Sequence, residues 1–296
     1  MRALPRVLLS VLSFVAVSVP AVLAAPPDLS AASAPSNEAP PLEMLPRWAV
    51  PRSYVLALRS DPAASRYRGV VRIAVDLKKA SDHLWLHGKD LRVRAVTITD
   101  AGGRAHSGRY LEILPQAGVA RIDFGATLGP QRLTLEIAFS APYNGTLQGY
   151  YKVVFAGRAY AMTQMEPISA RLAFPCFDEP DFKVPLVLSL TIPDADTAVA
   201  NGAQVGERPD AGGWKTLTFA PTKPLPTYLY AWVAGPWDIV QGPTIPPTRW
   251  RATPVAVRGI ATRGNGPKMR RALAMVPGII EAEERYYGFG YPFGKL

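Results

Sequence analysis

Tyr67-Arg68-Gly69-Val70-Val71-Arg72-Ile73-Ala74-Val75-Asp76-Leu77-Lys78 puts Tyr67, Val71, Ile73, Val75 and Leu77 on one side of an extended chain. Arg68, Arg72, Ala74, Asp76 and Lys78 fall on the other side. Alternation of this kind belongs to a strand that buries one face and wets the other. Leu133-Thr134-Leu135-Glu136-Ile137-Ala138-Phe139 repeats it. Working outward, further strands are expected at Tyr54–Leu58, Leu91–Thr99, Ala120–Phe124, Tyr151–Phe155, Leu186–Ile192 and Thr216–Phe219, separated by Gly, Pro, Asn and Asp turns. Many short strands at this spacing predict stacked antiparallel sheets. Composition agrees: 48% of the 296 residues are apolar, enough for a sizeable core, while 30 prolines argue against a helical bundle.

The chain opens with Arg2 and Arg6, an apolar run from Val7 to Val19, and Val22-Leu23-Ala24. That pattern predicts a signal peptide over residues 1–24, too short in its apolar part to span a bilayer, and export to a periplasmic or extracellular space. No cysteine follows the run to carry a lipid, so no membrane anchor is expected after cleavage. Residues 25–45, rich in Pro, Ala and Ser, read as a disordered linker. The formal charge of +10 comes from 24 Arg and 9 Lys against 23 acids. The arginines are spread along the chain without an aromatic-interleaved stripe, so they read as a solvated surface rather than a nucleic-acid face. Cys176, the single cysteine, sits among Phe174, Pro175 and Phe177 and reads as buried and inert.

Near residue 250 the character changes. Prolines 243, 246, 247 and 254 bracket a strand expected at Val255–Ile260. Pro267 then opens a helix carrying Met269, Leu273, Val276 and Ile280 on one face. Pro277-Gly278 predicts a kink or split in that helix.

One segment obeys neither period: Thr163-Gln164-Met165-Glu166-Pro167-Ile168-Ser169-Ala170-Arg171, continuing Leu172-Ala173-Phe174-Pro175-Cys176-Phe177-Asp178-Glu179-Pro180. Read as residues, it is a long polar loop with room for an ion pair. Through Lys183 it resembles the signature of the aminopeptidase N family of zinc metallopeptidases, peptidase family M-one. Leu86-His87-Gly88-Lys89-Asp90-Leu91, Tyr143-Asn144-Gly145-Thr146-Leu147-Gln148-Gly149-Tyr150-Tyr151 and Tyr286-Tyr287-Gly288 with Tyr291-Pro292 and Lys295-Leu296 resemble further family elements, in family order.

The resemblance implies an all-β architecture: a saddle-like N-terminal β-domain of stacked antiparallel sheets over residues 46–248, then the first strand and helix of an incomplete α/β catalytic domain over 249–296. It implies that Gln164 lines the pocket for a peptide's first side chain and that Glu166 accepts hydrogen bonds from its α-ammonium. It also implies that Arg171, Pro175, Asp178, Glu179 and Pro180 form an architectural turn, with Arg171 paired to one of the two acids.

The family's zinc site needs His-Glu-x-x-His on a helix. This sequence has only His83, His87 and His106. His83 and His87 stand four apart, but the setting reads as a strand, where that spacing is about 13 Å. The expectation is therefore a substrate-recognition domain without catalytic residues or metal ligands of its own, inactive alone. Zinc is expected in a missing catalytic domain, which would be its partner. The alternative from the residues is a non-catalytic exported β-sandwich that binds or scaffolds. Asp194-x-Asp196 lacks the Gly and Glu of a calcium loop and reads as a turn, as does Asn144-Gly145.

Overall fold

The computed structural model describes residues 38–296. The signal-peptide reading of residues 1–24 lies outside the described residues, and so do residues 25–37 of the linker reading. Leu45, near that segment's end, is buried, and its N–H donates to Glu179 Oε1.

Among the described residues, sixteen strands account for most of the regular structure. The first eight are β1 (Ala49–Arg59), β2 (Arg66–Leu77), β3 (Ser81–His87), β4 (Arg92–Thr99), β5 (Ala105–Leu114), β6 (Val119–Leu128), β7 (Gln131–Pro142) and β8 (Gly149–Phe155). They are followed by β9 (Arg158–Gln164), β10 (Leu186–Pro193), β11 (Thr197–Ala200), β12 (Gln204–Asp210), β13 (Trp214–Phe219), β14 (Trp232–Gly235), β15 (Trp237–Gln241) and β16 (Arg258–Thr262). The α-helix among the described residues is α1 (Arg270–Tyr287).

Ten strands form one sheet in the order β12-β13-β10-β1-β2-β7-β4-β5-β6-β3. Four form a second, β11-β14-β9-β8, and β15 pairs with β16. The alternation that opened the reading is visible in three dimensions: β2 and β7 pair antiparallel without a bulge from Arg66↔Pro142 to Leu77↔Gln131. Their apolar sides, Val71, Ile73, Val75, Leu133, Leu135 and Ile137, are fully buried. The sheets are antiparallel throughout except at one place, where β1 runs parallel to β10.

Aromatic residues join the two larger sheets. Tyr67, Tyr143 and Tyr150 stack in a triangle with ring centroids 5.0–5.3 Å apart, and Tyr150 meets Trp232 at 5.5 Å. Their hydroxyls are not stranded. Ser60 Oγ lies 2.7 Å from both Tyr143 and Tyr150, and Tyr67 donates to Ala173 O at 2.7 Å. Burial of these phenols pushes their ionisation up, which keeps the whole set neutral.

A smaller apolar cluster of Ile245, Val255, Val257, Leu273 and Ile280 forms near the end of the chain. Two expectations are corrected here. The strand predicted at Val255–Ile260 is displaced: Val255 bridges Ile245, and the continuous strand is β16. The helix is not split at Pro277-Gly278, for α1 runs through Pro277 to a left-handed Gly288 cap. Leu273 and Ile280, one turn to either side of Pro277, are buried in the same cluster, with Val276 packed against it. Packing on both sides of the break offsets the roughly 3 kcal/mol that an interior proline costs. No helix among the described residues is long and apolar enough to cross a membrane.

Candidate functional site

The irregular segment leaves β9 at Gln164 and is held down at its far end by an inward-facing polar network. Asp178, 2% exposed, is the centre of that network. Its Oδ2 accepts from Arg171 Nε at 3.0 Å and from the Arg171 backbone N–H at 3.2 Å, and its Oδ1 accepts from Thr227 Oγ1 at 2.6 Å. The Arg171 guanidinium also donates to Ala117 O at 2.6 Å and to Asp178 O at 3.1 Å. A charge buried this deeply persists only when its lone pairs are used, and here each oxygen has a donor. Glu179 is held by Arg47 at 3.1 Å, and Arg47 also reaches Asp181 at 2.9 Å. Pro180 sits second in a turn closed by Phe182 N–H donating to Glu179 O at 3.2 Å, the position its fixed φ favours. Pro175 and Cys176 lie in the buried floor.

The histidines are structural. Within β3, His87 exchanges backbone hydrogen bonds with Cys176, at 2.7 and 2.9 Å, and its Nδ1 accepts from Asp178 N–H at 3.1 Å. Burial, then the neighbouring Arg171, lowers the His87 pKa to about 3. It is therefore neutral in the fold and has a proton to gain on unfolding. Since the folded pKa is depressed below 6.5, its contribution is complete above pH 6.5 and is lost as pH falls toward 3. The slope is up to about 1.4 kcal/mol per pH unit. Urea midpoints taken at pH 7, 5 and 4 should fall less steeply in His87→Gln than in the wild type, and parallel lines would refute the assignment. His83 is bonded through Nδ1 to Asp82 at 2.7 Å. Cys176 is fully buried, and burial raises its thiol pKa, the opposite of a nucleophile's environment.

Gln164 and Glu166 behave differently. Both are exposed, while Met165 between them is 1% exposed and fixes that stretch in the core. Glu166 precedes a cis peptide to Pro167, and Ser169 N–H donates to Met165 O at 2.7 Å, closing the turn that carries the pair outward. Of the four carboxylates between residues 163 and 183, Glu166 alone has neither hydrogen bond nor ion pair among the described residues. Gly149, beside Gln164 in the β8–β9 pair, allows this approach. Its φ is +65°, and a Cβ there would lie 2.8 Å from Leu172 Cβ.

An open cleft of about 600 Å³ borders the segment, lined by Arg47, Lys89, Gln148, Ile168, Arg171 and Asp181 among others. Gln164 and Glu166 stand outside its lining, and its charged groups are mostly committed to each other. No group of three or more His, Cys, Asp or Glu among the described residues could hold a metal ion, so the residues present do not fit zinc. Sequence reasoning missed Thr227, Arg47 and His87 as braces of the segment. The Leu86-His87-Gly88 resemblance was the one available signal, and it named no partner.

Comparison with known proteins adds the following. The family model described as "Peptidase M1 N-terminal domain" matches residues 50–229. "Aminopeptidase M1-D" of Oryza sativa subsp. japonica is 30% identical over 85% of this chain and 28% of its own length. "Puromycin-sensitive aminopeptidase" of Caenorhabditis elegans is 26% identical over 86% of the chain and 27% of its own length. "Glutamyl aminopeptidase" of Mus musculus is 31% identical over 72% and 25%. The chain thus spans less than a third of these relatives.

Proposed function

As the chain belongs to the Peptidase M1 N-terminal domain family, we propose that it is the substrate-recognition domain of an exported zinc aminopeptidase, presenting Gln164 and Glu166 to the front end of a peptide. The observation that carries the proposal is the unpaired, exposed Glu166 on a segment whose other three carboxylates are all tied down. An exopeptidase must recognise an N-terminal positive charge, and a carboxylate on an immobilised loop does so through a charge-assisted hydrogen bond. Gln164, exposed on the same stretch, would face the first side chain. Holding the ammonium fixes where the first peptide bond lies, which is positioning rather than chemistry. Zinc belongs in this reading to a catalytic domain, and no step here runs through it.

Support for a protein partner comes from α1 and the residues after it, which leave Met275, Ile279, Tyr286, Tyr287 and Phe289 exposed, 48–84% by residue. Contiguous apolar groups of this size mark interaction surfaces. Export rests on the basic and apolar pattern of residues 1–24.

The test uses this chain joined to a catalytic domain of the family. Glu166→Ala should lower kcat/KM on free-amine substrates by roughly 10–150-fold, the worth of one hydrogen bond to a charge. Glu166→Gln should fall between. Unchanged kinetics would remove Glu166 from the site.

A further inference from the structure

Although the arginines are scattered in sequence, the fold gathers five of them on the outer face of the ten-stranded sheet. Strand register places Arg59 on β1 beside Arg68 on β2, Arg68 beside Ser140 on β7, and Ser140 beside Arg92 on β4. One row therefore crosses four strands, about 14 Å at the usual inter-strand spacing. Arg66 lies two residues along on the same face of β2, and Arg94 occupies the bulge of β4. These five line an open groove of about 610 Å³ with Asp61 and Trp214.

The rest of the same face is organised differently. There Arg72 is paired with Glu136, while Arg52 and Arg132 share Asp76 at 2.6 and 2.9 Å. None of the five groove arginines has an ion pair among the described residues. Asp61, the one carboxylate of the lining, accepts from Ala63 N–H at 2.8 Å. Like charges directly opposite in a sheet destabilise it. Arg59 faces Arg68, and burial together with Arg92 and Arg94 pushes the Arg66 guanidinium pKa down. Two of the side chains are nevertheless held in place: Arg59 stacks 3.5 Å over the Trp214 ring, and Arg66 donates to Ser140 O at 2.9 Å.

We propose that this groove, Arg59, Arg66, Arg68, Arg92 and Arg94 around Ser140, is a binding site for an oligophosphate: two or three phosphate groups presented within its length. Five guanidiniums and one carboxylate leave four positive charges to neutralise. A phosphate monoester carries about 1.5–2 negative charges, so two or three match within the row, whereas a peptide would need four carboxylates. The all-arginine lining suits the paired oxygens of phosphate, which the planar fork grips two at a time. The phosphates could be free in solution or borne by lipid headgroups, and the same guanidiniums would take either.

The experiment is calorimetric titration of the full chain with sodium tripolyphosphate at about 0.15 M salt, where exposed charges at long range are screened. Sedimentation with phosphatidylcholine vesicles containing phosphatidic acid forms the second arm. Saturable binding weakened at least tenfold in Arg59→Gln/Arg68→Gln and less than twofold in Arg132→Gln, on the paired part of the face, supports the site. That pattern with tripolyphosphate assigns the free source; the same pattern with vesicles alone assigns the headgroup. Absence of binding in both arms overturns the proposal, as does equal loss in the Arg132 control, which would reduce the effect to net charge. Removing repelling charges should leave the double variant's melting temperature at or above the wild type's. If that variant fails to fold, Arg92→Gln supplies the same comparison.

Discussion

Replacing Asp178 by Ala is expected to lower the free energy of unfolding by about 3–5 kcal/mol, because it leaves the Arg171 guanidinium charged with its carboxylate partner gone. Arg171 is only 11% exposed through its side chain and cannot turn to water without dragging the segment with it. The same substitution strands Thr227 Oγ1 and the Arg171 N–H, two donors the carboxylate now satisfies. At 2–4 °C per kcal/mol for a domain of this size, the melting temperature should fall by roughly 10 °C. Asp178→Asn keeps one acceptor but turns an amide NH2 toward a donor, so it should recover only part of the loss. Limited proteolysis should then cut near Glu166 in the Ala variant under conditions where the wild type resists. A loss below about 1 kcal/mol in urea unfolding would show that the network does not hold the segment.

The second large effect belongs to Glu284. This helix residue is 2% exposed and receives Arg251 Nε at 2.8 Å, Thr248 Oγ1 at 2.7 Å and the Tyr291 N–H at 2.8 Å. Burial alone would raise its pKa, but the bonds from Thr248, Tyr291 and Arg251 outweigh it and hold the carboxyl below its ordinary range. Glu284→Ala should cost about 3–5 kcal/mol, for it abandons Arg251 in the interior. Glu281 provides the internal control. It sits three residues earlier on α1 and pairs with Arg285 at 3.1 Å on the exposed surface, where such a pair contributes about 0.3–0.5 kcal/mol. Hydrogen exchange along α1 should accelerate in Glu284→Ala and stay near wild type in Glu281→Ala. Similar rates in the two variants would remove the distinction between them.

How far the sequence speaks depends on which forces are local. In β2 and β7 the period of two follows directly from one-sided burial: β2 could be read to within a residue of each end, and β7 over its middle, Leu133–Phe139. In contrast, β3 is buried on both faces, and β5 alternates only weakly because little of it is buried. β11 and β14 are four residues each, too short for any period to show. The helix was legible from Leu273, Val276 and Ile280, but its continuity through Pro277 depends on packing that no local rule contains.

The irregular segment stood out because it obeyed neither period, and its reading leaned on resemblance. Its braces come from 91 residues upstream in His87 and 49 residues downstream in Thr227, separations at which sequence carries no pairing information. The arginine groove shows the same limit more sharply. Arg59, Arg68 and Arg92 are unremarkable surface residues until strand register sets them in one row.

The parallel pairing of β1 with β10 has a consequence for biosynthesis. Tyr54 lies beside Leu186, so the central strand of the large sheet waits for a partner made roughly 130 residues later. At about 5–20 residues per second on the ribosome, that is roughly 7–26 seconds during which one side of β1 is an open edge. Completion of the sheet is thus deferred by the connectivity of the chain itself, leaving time for a chaperone to engage the open edge.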